Sequence, residues 1–219
     1  LFLVERGDFD SRARAQAAVR EGLVRIDGAV ETRPSAPVRS GARVDILDEM
    51  RPCVSRGGVK LEAALEAFGF DPAGMVCLDL GASTGGFTQV LLERGAAKVY
   101  AVDVGTGQFH RSLAAHPSIV NLEKTHAKDL GPALISDEIG MLVCDVSFIS
   151  LEKALPPALA LCKQGALLVA LIKPQFEVGR GLVGKGGRVR ESDAKDAATR
   201  IARWIEGRGW AQAGLIDSP

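Results

Sequence analysis

The chain has 219 residues, 47% of them apolar and 25% charged, and its 27 basic and 27 acidic side chains cancel. That length accommodates one ordinary α/β domain and a small additional one. Neutrality excludes the strongly cationic class of nucleic-acid binder, and no apolar run of about 18 residues offers a helical membrane span.

Residues 1–48 read as a small α+β domain. Ser11 is placed to cap a short helix, Arg12–Glu21, that ends at Gly22. Leu23–Ile26 alternates, Asp27-Gly28 supplies a primed hairpin turn, and Val30 resumes the strand pattern beyond it. After the polar stretch Glu31–Ser40, Val44–Leu47 makes a third short strand. Every basic residue of this segment is arginine: Arg6, Arg12, Arg14, Arg20, Arg25, Arg33, Arg39 and Arg43. The guanidinium fork suits bidentate phosphate contacts better than lysine does, and Arg6, Arg12, Arg14 and Arg20 are candidate RNA contacts. The pattern SRxxAxxxVxxGxVxxxG followed by VxxGxxVDI resembles the S-four-like RNA-binding module, named for a ribosomal protein. The resemblance implies that helix and hairpin face structured RNA. A small docking or dimerising domain is the plainer alternative.

Residues 49–56 are expected to form a linker and residues 57–219 a second domain. Two stretches carry basic residues without acids: residues 51–60, with Arg51, Arg56 and Lys60, and residues 179–190, with Arg180, Lys185, Arg188 and Arg190. Such clusters are phosphate contacts or solvated faces. Arg56, Arg180, Lys185 and Arg188 join the candidate RNA contacts. From Val59 to Phe68 the apolar residues Leu61, Ala64, Leu65 and Phe68 share one helical face. Lys60 falls in the first turn, where the helix dipole disfavours a cation, which hints at another use.

A regular alternation of strands and helices follows. Met75–Leu80 is a buried strand, Phe87–Arg94 a helix, and Lys98–Val104 a strand carrying Asp103. Ile119–Leu122 and Gly140–Cys144 are further strands, the second ending at Asp145. Helix Leu151–Cys162 contains Pro156-Pro157 and is expected to kink or split there. Strand Ala166–Ile172 closes at Lys173-Pro174. Helix Ser192–Gly207 carries Ala198, Ile201, Ala202 and Ile205 on one face, and Ala211–Ile216 reads as a last strand. The alternation implies a mostly parallel sheet with helices on both faces. Ligands bind such sheets beyond the carboxyl ends of the strands, where Asp79, Asp103, Asp145 and Lys173 fall.

The densest motif is Val76–Thr88, VCLDLGASTGGFT. It contains G-x-S-x-G, which on a strand–turn–helix would make Ser83 a hydrolase nucleophile. Chain order opposes that reading, because this strand opens its sheet and no histidine follows Asp145 to complete a triad. The dinucleotide fingerprint G-x-G-x-x-G is absent, since Ser83 occupies the second glycine position, which disfavours a nicotinamide-dependent oxidoreductase. What stands here is D-x-G-x-x-x-G-G-F, similar to motif I of Rossmann-like S-adenosylmethionine-dependent methyltransferases. The similarity implies that Asp79, Gly81, Ala82, Ser83, Thr84, Gly85, Gly86 and Phe87 form the cofactor loop. Asp103, 22 residues after Gly81, stands where a carboxylate can bind the ribose hydroxyls of the adenosine. Gly179–Gly186 is one residue from a P-loop, but Gly186 replaces the magnesium-binding Ser or Thr, and it reads either as a mobile basic loop over the site or as plain surface disorder.

SRGGVKL, CDVSFIS and LIKPQFE, with the N-terminal module, resemble the TlyA group, also labelled hemolysin A, of FtsJ-like ribosomal RNA ribose 2′-O-methyltransferases. The resemblance implies S-adenosylmethionine as cofactor and transfer to a ribose 2′-hydroxyl, of cytidine, in rRNA. The family's catalytic set is Lys-Asp-Lys-Glu, and its first three members fall on Lys60, Asp145 and Lys173. The glutamate is expected beyond Ala211–Ile216 and is not in this sequence, so the chain is expected to be incomplete at its C-terminus and, lacking an initial Met, at its N-terminus. Glu177 is a nearby carboxylate that the motif does not place in the fourth role.

The chemistry suits these residue types. A ribose hydroxyl is a poor nucleophile, so a base must take its proton, and a lysine serves only if burial or a neighbouring cation lowers its pKa. Lys173 at a buried strand end with Lys60 nearby would have both influences; Asp145 would oppose the shift by stabilising the charged form, but can orient the amine. An ordinary salt-bridge network of strand-end residues is the plainer reading. Phe148 and Phe176, each three residues past Asp145 and Lys173, are placed either to stack on the target nucleotide or to pack in the core.

Two rivals remain from other classes. One is a non-catalytic RNA-binding protein that keeps the cofactor pocket. The other is a membrane-active hemolysin, which the acidic Glu62 and Glu66 on the amphipathic helix and the shortness of the apolar run Leu1–Val4 oppose. The cytoplasm is therefore the default expectation. Cys53, Cys77, Cys144 and Cys162 lack zinc spacing, His110, His116 and His126 lack ligand spacing, and no metal is expected.

Overall fold

The computed structural model describes residues 2–219 apart from 7, 8, 10, 11, 21, 23, 40, 47–54 and 56, and leaves out the side chains of residues 13, 14, 17 and 180. Ser11, the linker apart from Ser55, Arg56 and the side chains of Arg14 and Arg180 therefore lie outside the described residues. The chain divides into two compact units, Leu1–Pro52 and Cys53–Pro219.

In the first unit, helices α1 (Phe2–Glu5) and α2 (Arg12–Arg20) accompany a three-stranded antiparallel sheet of β1 (Val24–Ile26), β2 (Ala29–Glu31) and β3 (Val44–Ile46), ordered β2-β1-β3. Leu3, Ala15, Ala18, Val19, Val24 and Val44 form its core. Asp27 and Gly28 both have positive φ, 52° and 85°, as the primed turn between β1 and β2 requires. Asp27 Oδ1 also accepts the Arg43 N–H at 2.8 Å, which fastens the hairpin tip to the approach of β3.

The second unit is built on a five-stranded parallel sheet of β4 (Val76–Leu80), β5 (Lys98–Val102), β6 (Ile119–Leu122), β7 (Ile139–Cys144) and β8 (Cys162–Ala170), ordered β6-β5-β4-β7-β8. Alternate side chains of each strand face opposite layers. Cys77, Val99, Met141 and Val143 meet α3 (Gly57–Phe68) and α4 (Gly86–Glu93) through Leu61, Leu65, Val90 and Leu91. Leu78, Leu80, Val102 and Leu142 meet α6 (Leu151–Leu159) and α8 (Glu191–Glu206) through Leu155, Ala158 and Ile201. Fully buried leucines such as Leu61 and Leu65 each contribute about 1.5–3 kcal/mol. The same alternation sends Asp79, two residues from Cys77, toward the α3–α4 layer.

Three expectations are corrected. Pro156 and Pro157 do not divide α6: the helix forfeits donors to the carbonyls of Glu152 and Lys153 but remains one element, and it ends at Leu159 because Cys162 already opens β8. β8 begins four residues earlier than the apolar run suggests. Its register slips between Ile139↔Cys162 and Met141↔Leu167, with Gly165 at φ 77° inside the slip. Ala211–Ile216 is not a strand. The local alternation is present, but no strand among the described residues pairs with it, and without a ladder partner the segment lies exposed. It lines a groove of about 700 Å³ that also runs past α3, β8 and α8.

Candidate active site

The carboxyl ends of β4, β5, β7 and β8 supply the site. β4 carries Asp79, which is fully buried. Thr88 Oγ1, from the first turn of α4, donates to Asp79 Oδ2 at 2.6 Å, and Oδ1 has no hydrogen-bond partner among the described residues. Burial pushes this carboxyl up to about 7. The Thr88 hydrogen bonds pull it back, and the nearby charges of Asp145 and Asp103 add to the rise.

The turn after β4 requires glycine at two points. Gly81 has φ 88°, and a Cβ there would stand 2.9 Å from the Asp145 carbonyl oxygen and 3.1 Å from the Val146 nitrogen. Gly85, at φ 98°, would drive a Cβ to 2.6 Å from Leu113 Cδ1 and 2.9 Å from Phe109 Cε2. The turn is fixed to its neighbour by Gly81 and Ala82 N–H groups that both donate to the Val102 carbonyl, at 2.9 and 3.1 Å. The Ser83 N–H donates to Asp103 Oδ2 at 2.8 Å, with Ser83 itself at φ 50°. Asp103 Oδ1 accepts the Gly105 N–H at 2.7 Å. Each of those oxygens keeps a second acceptor site. The Thr84 carbonyl accepts the His110 N–H at 3.1 Å, just before the short helix α5 (Arg111–Ala114). Phe87 is 3% exposed and packs in the α3–α4 layer beneath the turn.

Beside this turn, Lys173 Nζ lies 2.6 Å from Asp145 Oδ1, a contact with the geometry of an ion pair rather than of a directed hydrogen bond. Nζ also donates to Ser147 Oγ at 2.8 Å and to the Asp145 carbonyl at 3.4 Å. The two side chains are about four-fifths buried, at 20% and 23% exposure. Lys60 is not part of this contact. It lies half-buried in the first turn of α3, has no hydrogen bond or ion pair among the described residues, and lines the groove along β8. The neighbouring cation expected beside Lys173 is therefore not in contact with it.

Phe148 is 91% exposed, with φ 66°, so the core-packing reading fails for it. Its ring meets that of Phe176, in α7 (Pro174–Glu177), with centroids 5.1 Å apart. A bulky residue at positive φ costs of order 1–3 kcal/mol.

The candidate RNA contacts divide. Arg6 donates to the Val44 carbonyl and stacks over Phe2, so it is engaged within its own unit. Arg12 and Arg20 are exposed on α2. Lys185 and Arg188 are exposed beside Gly186 and Gly187, both at positive φ. Thr88 and Ser147 were missed by sequence reasoning. Thr88 could have been suspected from its place in the first helical turn after a buried acid, whereas nothing local marks Ser147 as a partner of Lys173. Among the described residues no group of His, Cys, Asp and Glu could hold a metal ion, and no helix is long and apolar enough to cross a membrane.

The FtsJ-like methyltransferase family matches residues 53–219, and the S4 domain family matches residues 2–44. The chain belongs to the FtsJ-like methyltransferase family. It is 45% identical over 219 residues to the "16S/23S rRNA (cytidine-2'-O)-methyltransferase TlyA" of Mycobacterium tuberculosis, covering 99% of this chain and 82% of that one. It is 39% identical over 191 residues to "Hemolysin A" of Brachyspira hyodysenteriae, covering 87% and 79%. A solved structure of a Streptococcus thermophilus protein named as a hemolysin superposes with a TM-score of 0.76 at 37% identity, covering 96% and 78%. The FtsJ-like unit fits the family's cofactor, S-adenosylmethionine. The turn is closed so tightly on Asp145, Leu113 and Phe109 that a Cβ at Gly81 or Gly85 would collide with them, and beside it stand Asp79, whose Oδ1 lacks a hydrogen-bond partner among the described residues, and Asp103, whose carboxylate oxygens keep spare acceptor sites.

Proposed function

We propose that this protein methylates a ribose 2′-hydroxyl of ribosomal RNA, at a cytidine, using S-adenosylmethionine. One observation carries the reading: the backbone of Asp145 lies against Gly81, so the Lys173–Asp145 pair shares a wall with the cofactor cradle. The cofactor, when bound, supplies an electrophilic methyl group on a sulfonium. Gly81 to Gly86 and Asp103 would hold it, with Asp103 on the ribose, while the buried Asp79 and Phe87 support the turn from beneath. Lys173 Nζ, in the neutral form it reaches after giving one proton to solvent, takes the proton of the RNA hydroxyl, while Asp145 and Ser147 fix where that nitrogen points. Lys60 stands in the family position for a further catalytic lysine. Phe148 and Phe176 offer ring faces to an unstacked base, a contact worth about 1–3 kcal/mol.

The first unit serves as the RNA-docking part, joined through residues 49–56. Arg12 and Arg20, with Lys185, Arg188, Arg14, Arg56 and Arg180, supply phosphate contacts, while Arg6 braces the module. A ribosomal substrate implies a cytoplasmic site of action. The test is transfer of radiolabelled methyl groups to intact ribosomal subunits. Wild-type protein is expected to label ribose, and Lys173→Ala to keep cofactor affinity within about threefold while labelling disappears. Unchanged turnover in Lys173→Ala would remove the lysine from the mechanism, and a wild-type protein that binds subunits without labelling them would leave a binding module.

A further inference from the structure

The loop after β7 and the segment after β8 leave the sheet side by side, and one carboxylate joins them. Glu177, the last residue of α7, has a side chain only 2% exposed. Its Oε1 accepts the N–H of Leu151, the first residue of α6, at 2.9 Å. Its Oε2 has no hydrogen bond among the described residues and faces Arg200 Nη2 of α8 at 3.6 Å. The same Nη2 donates to the Glu177 carbonyl at 2.8 Å, and Arg200 Nη1 pairs with Glu152 in the first turn of α6.

Helix capping alone does not account for this arrangement. Ser150 stands at the N-cap of α6, where a serine normally satisfies the first amides, yet it makes no capping hydrogen bond. The amide is bonded instead by a carboxylate 26 residues away, although a buried carboxylate is costly to maintain. What the long-range bond adds is closure of a small gap. Asp145, Ser147 and Phe148 lie within six residues before Leu151, and Lys173 and Phe176 within four before Glu177. Across that gap run the Lys173 contacts to Asp145 and Ser147 and the ring contact of Phe148 with Phe176.

We propose that Glu177 is a positioning residue: by bonding the Leu151 amide it fixes the 146–150 loop against α7, and so sets the Lys173–Asp145–Ser147 contacts and the Phe148–Phe176 platform in register for the target nucleoside. The proposal rests on the methyl-transfer reading above. Arg200 is the brace of this clasp, since it holds the backbone of Glu177 and the first turn of α6 together. Misplacing a reacting group by about 1 Å can cost on the order of 100-fold in rate.

The test compares Glu177→Ala and Glu177→Gln in the full chain. Glu177→Ala is expected to lower the single-turnover rate at saturating ribosomal subunits by about 10- to 100-fold, with S-adenosylmethionine affinity within about twofold of wild type. Exchange of the amides at 146–151, followed by mass spectrometry, is expected to quicken in the same variant. Glu177→Gln keeps an oxygen acceptor for Leu151 and is expected to recover most of the rate and the slow exchange. A wild-type rate in Glu177→Ala would overturn the proposal. So would a loss matched by equal weakening of cofactor binding, or a glutamine variant as slow as the alanine one, since either describes general destabilisation. If wild-type protein transfers no methyl group, the methyl-transfer reading fails; the exchange comparison still decides whether Glu177 holds the loop, and unchanged exchange there sinks this proposal by itself.

Discussion

Asp79→Asn replaces a fully buried carboxyl group with a neutral amide of nearly the same shape, under the floor of the cofactor cradle. The carboxyl ionises at about 7 in the folded protein against an ordinary value of 3.8, so between those values the unfolded chain has given up its proton and the folded chain has not. The unfolded state then binds fewer protons, and stability falls as pH rises from about 4 to about 7 and is level above that. At about 1.36 kcal/mol per pH unit, the gap amounts to about 4 kcal/mol lost across that window. The amide oxygen can keep the Thr88 hydroxyl bond, but the amide nitrogen inherits the position of the unpartnered Oδ1, at a pH-independent cost of about 1–3 kcal/mol. The variant is therefore expected to be less stable than wild type at pH 4, and to gain about 4 kcal/mol relative to it by pH 8. Urea unfolding at intervals of one pH unit measures this. Both tryptophans, Trp204 and Trp210, lie in the second unit, so their fluorescence reports that unit, and taking the difference between the two proteins cancels every other titrating group. Stability curves that stay parallel from pH 4 to pH 8 would refute the reasoning, because they would mean that Asp79 ionises alike in both states.

Gly81→Ala forces an alanine into φ 88° and its Cβ to 2.9 Å from the Asp145 carbonyl. Backbone strain of about 1–2 kcal/mol and overpacking of about 1–3 kcal/mol are expected, and calorimetry should show cofactor binding weakened at least tenfold. Undiminished binding would place the cofactor elsewhere. Phe148→Gly relieves the positive φ of an exposed ring, so the thermal midpoint should hold or rise, by the equivalent of about 1 kcal/mol. Methyl transfer should nevertheless fall at least tenfold, and full activity would remove Phe148 from the nucleoside platform.

The parallel sheet was legible because buried strands announce themselves as short apolar runs, and because each functional group sits at the end of such a run. Asp79, Asp103, Asp145 and Lys173 could be placed at one sheet edge without coordinates for that reason. The Asp27-Gly28 turn was equally legible, since two successive residues at positive φ demand that chemistry. Period and composition are local quantities, however, and they misled where a neighbour decides the outcome. Ala211–Ile216 alternates as a strand should, yet lacks the partner that would make it one.

By itself the sequence determined which residues could do chemistry and on which elements they ride, because apolar period, glycine placement and strand-end charge act within a few residues of one another. Only the tertiary structure decided who touches whom. It joined Lys173 to Asp145 and Ser147 while keeping Lys60 out of that contact, turned Phe148 outward, and gave the Leu151 amide to Glu177 rather than to Ser150. Those choices depend on strand register and on how helices pack across the sheet, distances that no stretch of sequence contains.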